Sequence, residues 1–528
     1  MSVLRPGGIR ASRHVIFVSV ALSVFPIRLG RSEQFSCVRE LLRRANYTGA
    51  GVAPFVDIHD LAETEMKTTR GTVHPQPADL LSLLIQLFLD GFFVRGETAR
   101  GLLSIAEFTA LGDLGLVTKD TTDESLLYSP IKLYPIDPVY VACDRWSNPD
   151  GSPFRSLSDI LYPPVGPNTK LFLELLPNSP CEAFLDLCSG TGIAGLIAAS
   201  QYARQAWAYD ITERCAHFAE FSRCLNGIEN FSTGTGDLYE PAGTQTFDRI
   251  VAHPPYVPVL EPKWIFYGGG EDGEQITRRV IVGLPRHLRP GGALHCLAMV
   301  TEREGESLED RVRKWLGSAG YEFDLALVTR RNLDPDQFAV GTVLKNAGTV
   351  SDTVRFKALF RELKVTALVY TMIMIQRRSS RRNTFTVRRH KGPLSSRAEH
   401  QQLLAWETAA TEPTGSDLVL QSRLKASECC RMLALHRIQD GDWVAAGYKL
   451  QVDYPFEMEM QMEPWVGLLL PRCNGTMTGA EIFAALKKDA VLHANTPIEE
   501  FADLLKVLIS GGFLLLGSTT AGEGAASV

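Results

Sequence analysis

The sequence predicts an α/β protein: a doubly wound, mostly parallel, seven-stranded central sheet flanked by two small winged-helix-like domains. Three observations predict it. From about residue 155 to 378, short β-branched or apolar runs alternate with helix-length runs, the pattern of a parallel sheet covered on both faces. The strand-like AFLDLC runs straight into the glycine-rich SGTGIAG, a turn from a strand into a helix. On either side lie helices followed by short strand-like runs.

The elements in chain order justify this reading. Residues 1–32 carry the apolar run RHVIFVSVALSVFPIRLG behind three arginines. It superficially suits a signal peptide, but it lacks a clean small-residue cleavage site and is too short to span a membrane comfortably. We expect a disordered or misassigned start. Residues 33–150 read as a helical, winged-helix-like domain: PADLLSLLIQLFLDG has apolar residues at helical spacing and Gly91 as a stop. SIAEFTALGDLGLV follows as a second helix, and LLYSPIKLYPI and VYVACD as strands. Residues 151–378 hold the alternating α/β segment. Residues 379–400, in the arginine-rich RRSSRRNTFTVRRHKG, are expected to be a solvated basic linker. Residues 401–528 read as a second winged-helix-like domain. There Thr478-Gly-Ala-Glu481 is a capping box, and Thr496 before Pro497 is the expected N-cap of the last helix.

Composition restricts the function classes. A chain of 528 residues is too long for one core, and 45% hydrophobic with 22% charged residues is ordinary for a soluble protein. The net charge of −6 offers no whole-protein attraction to phosphates. None of the ten cysteines forms a C-x-x-C pair, so no zinc ribbon or redox motif is indicated, and no metal site is expected. The scattered thiols suit a reduced, cytoplasmic setting without membrane attachment.

The glycine loop carries the first chemistry. Gly190 and Gly192 let the backbone turn tightly and approach a ligand, while the free N–H groups of the following helix face it. No Gly-Lys-Ser/Thr follows, which excludes a Walker loop. NAD and S-adenosylmethionine remain open on the loop alone. The acids decide between them. Asp186 precedes the loop inside the strand, placed to meet an ammonium group and wrongly placed for a pyrophosphate. Asp210 ends the next strand, AWAYD, where it can accept from ribose hydroxyls. Asp237, in TGDLY, can accept from an adenine amino group. Together they suit a cationic ligand bearing ribose and adenine.

With RIVAHPPYVP and YGGGEDGEQITRRVIVGLPRHLRPGGAL, these residues make the segment from about 160 to 378 resemble a class I S-adenosylmethionine-dependent methyltransferase. It is most similar to the small-methyltransferase-domain group, which includes release-factor glutamine methyltransferases and RNA or DNA amino methyltransferases. The resemblance implies S-adenosyl-L-methionine as cofactor, with Asp186, Cys188, Gly190, Gly192, Asp210, Asp237 and Leu238 as its contacts. Thr169, in YPPVGPNTKLF, is a further contact or a helix cap. It also implies N-methylation of a planar nitrogen, with a protein glutamine on a substrate such as a release factor first and an RNA or DNA nucleobase as the alternative.

In that group the fourth strand ends in Asn-Pro-Pro-Tyr or Asp-Pro-Pro-Tyr; here it reads His253-Pro254-Pro255-Tyr256. Two acceptors, the first side chain and the Pro254 carbonyl, would hold both N–H protons of the acceptor nitrogen. Tyr256 would pack on its plane, and the prolines fix the backbone in advance. His253 accepts only when neutral. Either it replaces the usual side chain and collects the released proton, in which case activity falls as pH drops through about 6.5, or the domain binds cofactor without catalysis. His217 and His287 are expected to be solvated, and Glu271 with Asp272 to lie on a mobile loop near the substrate entrance.

Overall fold

The computed structural model describes residues 25–56, 76–346 and 348–519. Most of the apolar run near the N-terminus lies outside the described residues. Its end does not: Ile27 is buried, its carbonyl meets His217 Nε2 at 2.9 Å, and Arg28 N–H donates to Leu114 at 3.0 Å. Residues 25–32, expected to be part of a disordered start, are instead packed, because they close the edge of a core.

The dominant feature is one mixed sheet of eleven strands. We label them β1 (Cys181–Leu187), β2 (Ala203–Asp210), β3 (Phe231–Thr235), β4 (Phe247–Ala252), β5 (Leu288–Arg303), β6 (Phe323–Leu333), β7 (Val365–Arg377), β8 (Thr386–Lys391), β9 (Arg431–Gln439), β10 (Asp442–Val452) and β11 (Phe456–Met462). Their order is β9-β10-β11-β8-β6-β7-β5-β4-β1-β2-β3. Strands β3, β2, β1, β4 and β5 are mutually parallel, and β7 runs antiparallel between β5 and β6. The alternating segment supplies β1 to β7, and four further strands widen the sheet beyond the expected seven.

The interior strands are apolar on both faces, as a sheet covered by helices requires. In β1, Ala183 through Leu187 are all buried. The helices that matter for the site are α1 (Pro167–Leu175), α2 (Ile193–Gln201), α3 (Glu213–Asn226), α4 (Gln275–Val282) and α5 (Leu308–Leu316). Chain order reverses between β1 and β4, and the carboxyl ends of the strands at such a reversal are the usual position of a ligand crevice in open α/β sheets.

The basic stretch is a correction. Residues 386–391 form β8, paired in parallel with β6, rather than a solvated linker. Arg377, Arg382, Arg388 and Arg389 meet Glu322, Asp324, Glu302 and Glu407. Arg382 and Asp324 are both buried, where an unpaired charge would be strongly disfavoured. These four cations are paired with carboxylates rather than left to solvent. The boundary at residue 401 shifts for a related reason, since β9 to β11 join the main sheet.

The N-terminal module has helices Ser32–Arg44 and Leu80–Ile85, then Gly96–Leu102 and Ile105–Asp113, with a three-stranded sheet of Val94–Arg95, Leu126–Tyr128 and Thr118–Lys119 in that spatial order. Its hairpin Ile131–Ile136 and Val139–Asp144 docks on α3. Ala142 N–H donates to Ser222 Oγ at 3.0 Å, Tyr140 N–H to Asn226 Oδ1 at 2.8 Å, and buried Asp144 pairs with buried Arg214. Phe218, Phe221 and Leu225 of α3 share one core with Phe35, Leu41 and Phe88. At the other end, the capping box is present: Glu481 N–H donates to Thr478 Oγ1 at 3.2 Å and Thr478 N–H to Glu481 Oε2 at 2.8 Å. The last helix instead starts at Ile498 with Pro497 as its cap, so Thr496 is not the N-cap. Among the described residues no helix is long and apolar enough to cross a membrane.

Candidate active site

Strand β1 delivers Asp186 and then turns at Cys188, Gly190 and Gly192, which have φ of +53°, +53° and +74°. These left-handed conformations fold the loop back on itself before α2 begins. At Gly192 a Cβ would stand 2.8 Å from the Ala219 Cβ, and at Gly195 a Cβ would stand 2.7 Å from the Phe231 ring. Those two glycines let α2 pack closely. Gly190 differs, because a Cβ there meets nothing within 4 Å. It borders open space at the crevice mouth, as a backbone meant to approach a ligand would.

Two carboxylates converge on this loop. Asp186 is 3% exposed and accepts from Gly195 N–H at 3.1 Å. Asp210 ends β2 and accepts from Gly190 N–H at 2.9 Å and Thr212 N–H at 3.2 Å. Burial pushes both carboxyl groups up, Asp186 strongly, and the nearby Asp210 charge raises Asp186 further. A buried acid raised further by a neighbouring carboxylate suits a positive ligand, which would relieve Asp186. Asp237 lies past the end of β3, before Leu238 at φ +55°, but its carboxylate is already engaged by Arg279 of α4 at 2.6 Å. An adenine amino group there would share that carboxylate with a cation. Thr169 sits in the first turn of α1 and is buried; the helix is capped by Gly166 without a side-chain bond, so Thr169 is not a cap.

Beyond β4 the chain presents His253, Pro254, Pro255 and Tyr256. His253 stacks on Phe172 of α1 with ring centroids 5.2 Å apart and lies 5.5 Å from the Tyr256 ring. Its Nε2 is enclosed and has no hydrogen-bond partner among the described residues. Burial pushes the imidazole down to about 4. The ring is therefore neutral through the physiological range and able to accept a hydrogen bond, but it is a poor proton collector. The expected transition near 6.5 is corrected accordingly.

The GGG loop is bound to this segment. Gly269 N–H donates to Val257 at 2.9 Å and Val259 N–H to Gly270 at 3.0 Å. A Cβ on Gly269 would approach Tyr256 Cα to 2.7 Å and the Pro255 carbonyl to 2.8 Å. Behind it, buried Glu274 accepts from Thr301 N–H at 2.7 Å, Thr301 Oγ1 at 2.6 Å and Arg311 at 2.9 Å. Asp272 pairs with Arg303 at 2.9 Å, so this acid is tied down rather than carried on a mobile loop. The two histidines expected in solvent are also placed otherwise. His287 is buried against Tyr239 with centroids 4.5 Å apart, and His217 stacks on Phe25 at 4.4 Å.

The site thus joins a glycine loop flanked by Asp186 and Asp210 to a rigid Pro-Pro-Tyr turn, and the same stretch of chain is what known proteins share. The methyltransferase small domain family matches residues 164–317. A Methanocaldococcus jannaschii chain named as a protein N5-glutamine methyltransferase is 31% identical over 144 residues, 26% of this chain and 72% of its own. The chain belongs to the methyltransferase small domain family. The ribosomal protein uL3 glutamine methyltransferase of Bradyrhizobium diazoefficiens is 30% identical over 167 residues, 29% of this chain and 52% of its own. The release factor glutamine methyltransferase of Thermodesulfovibrio yellowstonii is 32% identical over 147 residues, 24% of this chain and 52% of its own. The chain therefore spans about half the length of two of these three relatives.

Within this methyltransferase small domain, some of the architecture around the motif was not evident from the residues alone. Asn168, Phe172, Arg279, Glu274 and Tyr370 all reach the site or its support. Asn168 lay inside a quoted motif, whereas Tyr370 sat in an apolar run, VYTMIMI, whose pattern signals only a buried strand.

Proposed function

We propose that this protein is an S-adenosyl-L-methionine-dependent N-methyltransferase acting on a planar amide nitrogen, with a protein glutamine side chain as acceptor. The observation that carries the reading is the juxtaposition, at the ends of adjacent strands β2, β1 and β4, of Asp210 and Asp186 with the His253-Pro-Pro-Tyr turn. The residues fit the cofactor. Gly190 opens onto free space, Asp186 is placed for an ammonium group, Asp210 for ribose hydroxyls, and Cys188, Gly192, Thr169 and Leu238 shape the surrounding walls. Asp237 would meet the adenine beside Arg279.

When bound, the cofactor supplies an electrophilic methyl group on a sulfonium. The chain's own residues do the remaining work. His253 and the Pro254 carbonyl accept from the two N–H groups of the acceptor and turn its lone pair toward the methyl, an orientation effect. Pro254 and Pro255 hold those acceptors still. Tyr256 covers the amide plane. His253, neutral and hard to protonate, orients the nitrogen, and the proton it releases passes to solvent. The names of the relatives, uL3 and release factor glutamine methyltransferases, support a protein glutamine as the acceptor class. Four of the six arginines of the basic stretch are held by carboxylates, which weakens the case for a nucleobase.

In the same reading, the two end modules are winged-helix-like packing domains around a seven-stranded methyltransferase core, and the protein works in the cytoplasm. Ten free thiols support a reducing compartment. The test is transfer of labelled methyl to recombinant release factor, to ribosomal protein uL3 and to lysate treated with RNase or with protease. Label on a glutamine that survives RNase supports the proposal. Label surviving only protease indicates a nucleobase, and cofactor binding without any label indicates a non-catalytic binder.

A further inference from the structure

The sheet face that carries His253 also gathers cations farther along. Its core includes Phe172, which stacks on His253, together with Val328 of β6, Met372 of β7 and Phe456 of β11. The strand registers set Met372 level with Val328, and Val328 level with Arg389 of β8. Two residues beyond that level come Tyr370, Arg330 and Lys391, with Lys391 opposite Phe456. At Arg330 the ladder is irregular: Thr329 pairs with Thr371 and Arg331 with Tyr370. One extra residue is inserted, so both arginines stand against Tyr370, the way a β-bulge re-aims side chains. Tyr370 in turn reaches the acceptor turn. Its hydroxyl lies 2.9 Å from that of Tyr256, and Asn168 Nδ2 donates to the two at 3.2 and 2.9 Å.

These cations are not neutralised. The side chains of Arg330, Arg331 and Lys391 make no hydrogen bond and no ion pair among the described residues, in contrast to Arg377, Arg382, Arg388 and Arg389. Arg330 and Lys391 are half-buried, and Arg331 is exposed. Burial pulls Arg330 and Lys391 below their ordinary values, and Arg330 lowers Lys391 further. Glu174 of α1 acts on both through its field, yet it is exposed and unpaired. Glu399 is already occupied by Ser396 N–H at 2.7 Å and the Tyr454 hydroxyl at 2.7 Å. Beside them His400, 2% exposed, stacks on Phe456 at 6.2 Å, and neither ring nitrogen has a partner among the described residues. Three cations thus face one exposed carboxylate, a charge imbalance that an incoming anion would relieve.

We propose that Arg330, with Arg331 and Lys391, binds the carboxylate of an acidic residue in the protein substrate, a few residues from the methylated glutamine. This rests on the reading of the cleft as a site for a protein amide. Strands β4 and β6 are three steps apart across the sheet, about 14 Å at roughly 4.8 Å per step. An extended backbone covers that span in about four residues. The excess of two positive charges over Glu174 matches one or two carboxylates. A polynucleotide would call for a longer basic track, and the neighbouring Arg388 and Arg389 are already neutralised.

The test uses the full chain saturated with S-adenosylhomocysteine and fluorescein-labelled peptides of Gly and Ser around a single Gln. One Glu stands about three to five residues to either side of that Gln, or is replaced by Ser, and anisotropy follows binding. The best-placed acidic peptide should bind about five- to tenfold more tightly than the neutral one, the scale of one charge-assisted contact discounted for partial exposure. Arg330→Gln should abolish that advantage while leaving the affinities for the neutral peptide and for S-adenosylhomocysteine unchanged. Arg330→Glu should turn the preference toward a peptide with Lys in the same place, a reversal that a folding defect does not produce. No peptide binding by the parent, equal binding of acidic and neutral peptides, or a preference that survives in Arg330→Gln overturns the proposal. So does a single-stranded RNA of similar length that outcompetes the acidic peptide. An Arg330-dependent preference in a parent that methylates no protein leaves the acidic subsite standing and refutes the proposed activity. Methylation of glutamine without an acidic preference does the reverse, so the two failures are distinguishable.

Discussion

The protonation of His253 makes the sharpest prediction. The ring must be neutral to accept, so activity is present above its pKa and lost as pH falls through it. An imidazole with the ordinary value of 6.5 would be about 90% protonated at pH 5.5, and the rate would fall roughly tenfold relative to pH 8. Burial against Phe172 moves the value to about 4, so at pH 5.5 only about 3% of the rings carry a proton. Single-turnover methyl transfer, with enzyme in excess of labelled cofactor, isolates the chemical step from product release. The expected profile is flat from pH 8 to 5.5 and declines only below about 5. His253→Asn, whose amide does not titrate, should retain transfer and lose that acidic decline. A tenfold fall centred near 6.5 in the parent but absent in His253→Asn would refute the argument that burial keeps the ring neutral.

Three further outcomes follow from the packing around the crevice. Asp210→Ala should weaken cofactor binding at least tenfold by calorimetry, since it removes both a ligand acceptor and the partner of Gly190 N–H; unchanged affinity would remove Asp210 from the site. Gly269→Ala should cost on the order of 1–3 kcal/mol in denaturant unfolding and reduce transfer, because a Cβ meets backbone at Pro255 and Tyr256 that cannot swing aside. Glu274→Ala should destabilise by about 3–5 kcal/mol, as it strands buried Arg311 without a counter-charge. Glu274→Gln should recover part of that loss, and equal stability of all three proteins would show that the network carries no weight.

The residues expected to line the site were legible because their constraints are local. A glycine must sit where the backbone adopts a left-handed turn, and Gly190 and Gly192 announce that turn in one dimension. Acids at successive strand ends are brought into register by any parallel sheet, so Asp186 and Asp210 were readable from spacing. Pro254 and Pro255 restrict the backbone wherever they occur. Charged and aromatic residues were misread where their partners lie far away in sequence. Arg377, Arg382, Arg388 and Arg389 look like part of a solvated run until the fold sets them against carboxylates from other elements. His217 and His287 carry no local mark of the Phe25 and Tyr239 rings that cover them.

By itself, then, the sequence determined the alternating sheet, the glycine turn after β1 and the stiffened backbone of the turn that ends β4, since each follows from periodicity or backbone restriction within a few residues. Tertiary structure alone decided the widening of the sheet to eleven strands, the neutrality of His253 and the Asn168–Tyr256–Tyr370 triangle. Dielectric environment and hydrogen-bond partners are properties of the space between segments, and no pattern along one strand encodes which distant side chain will fill it.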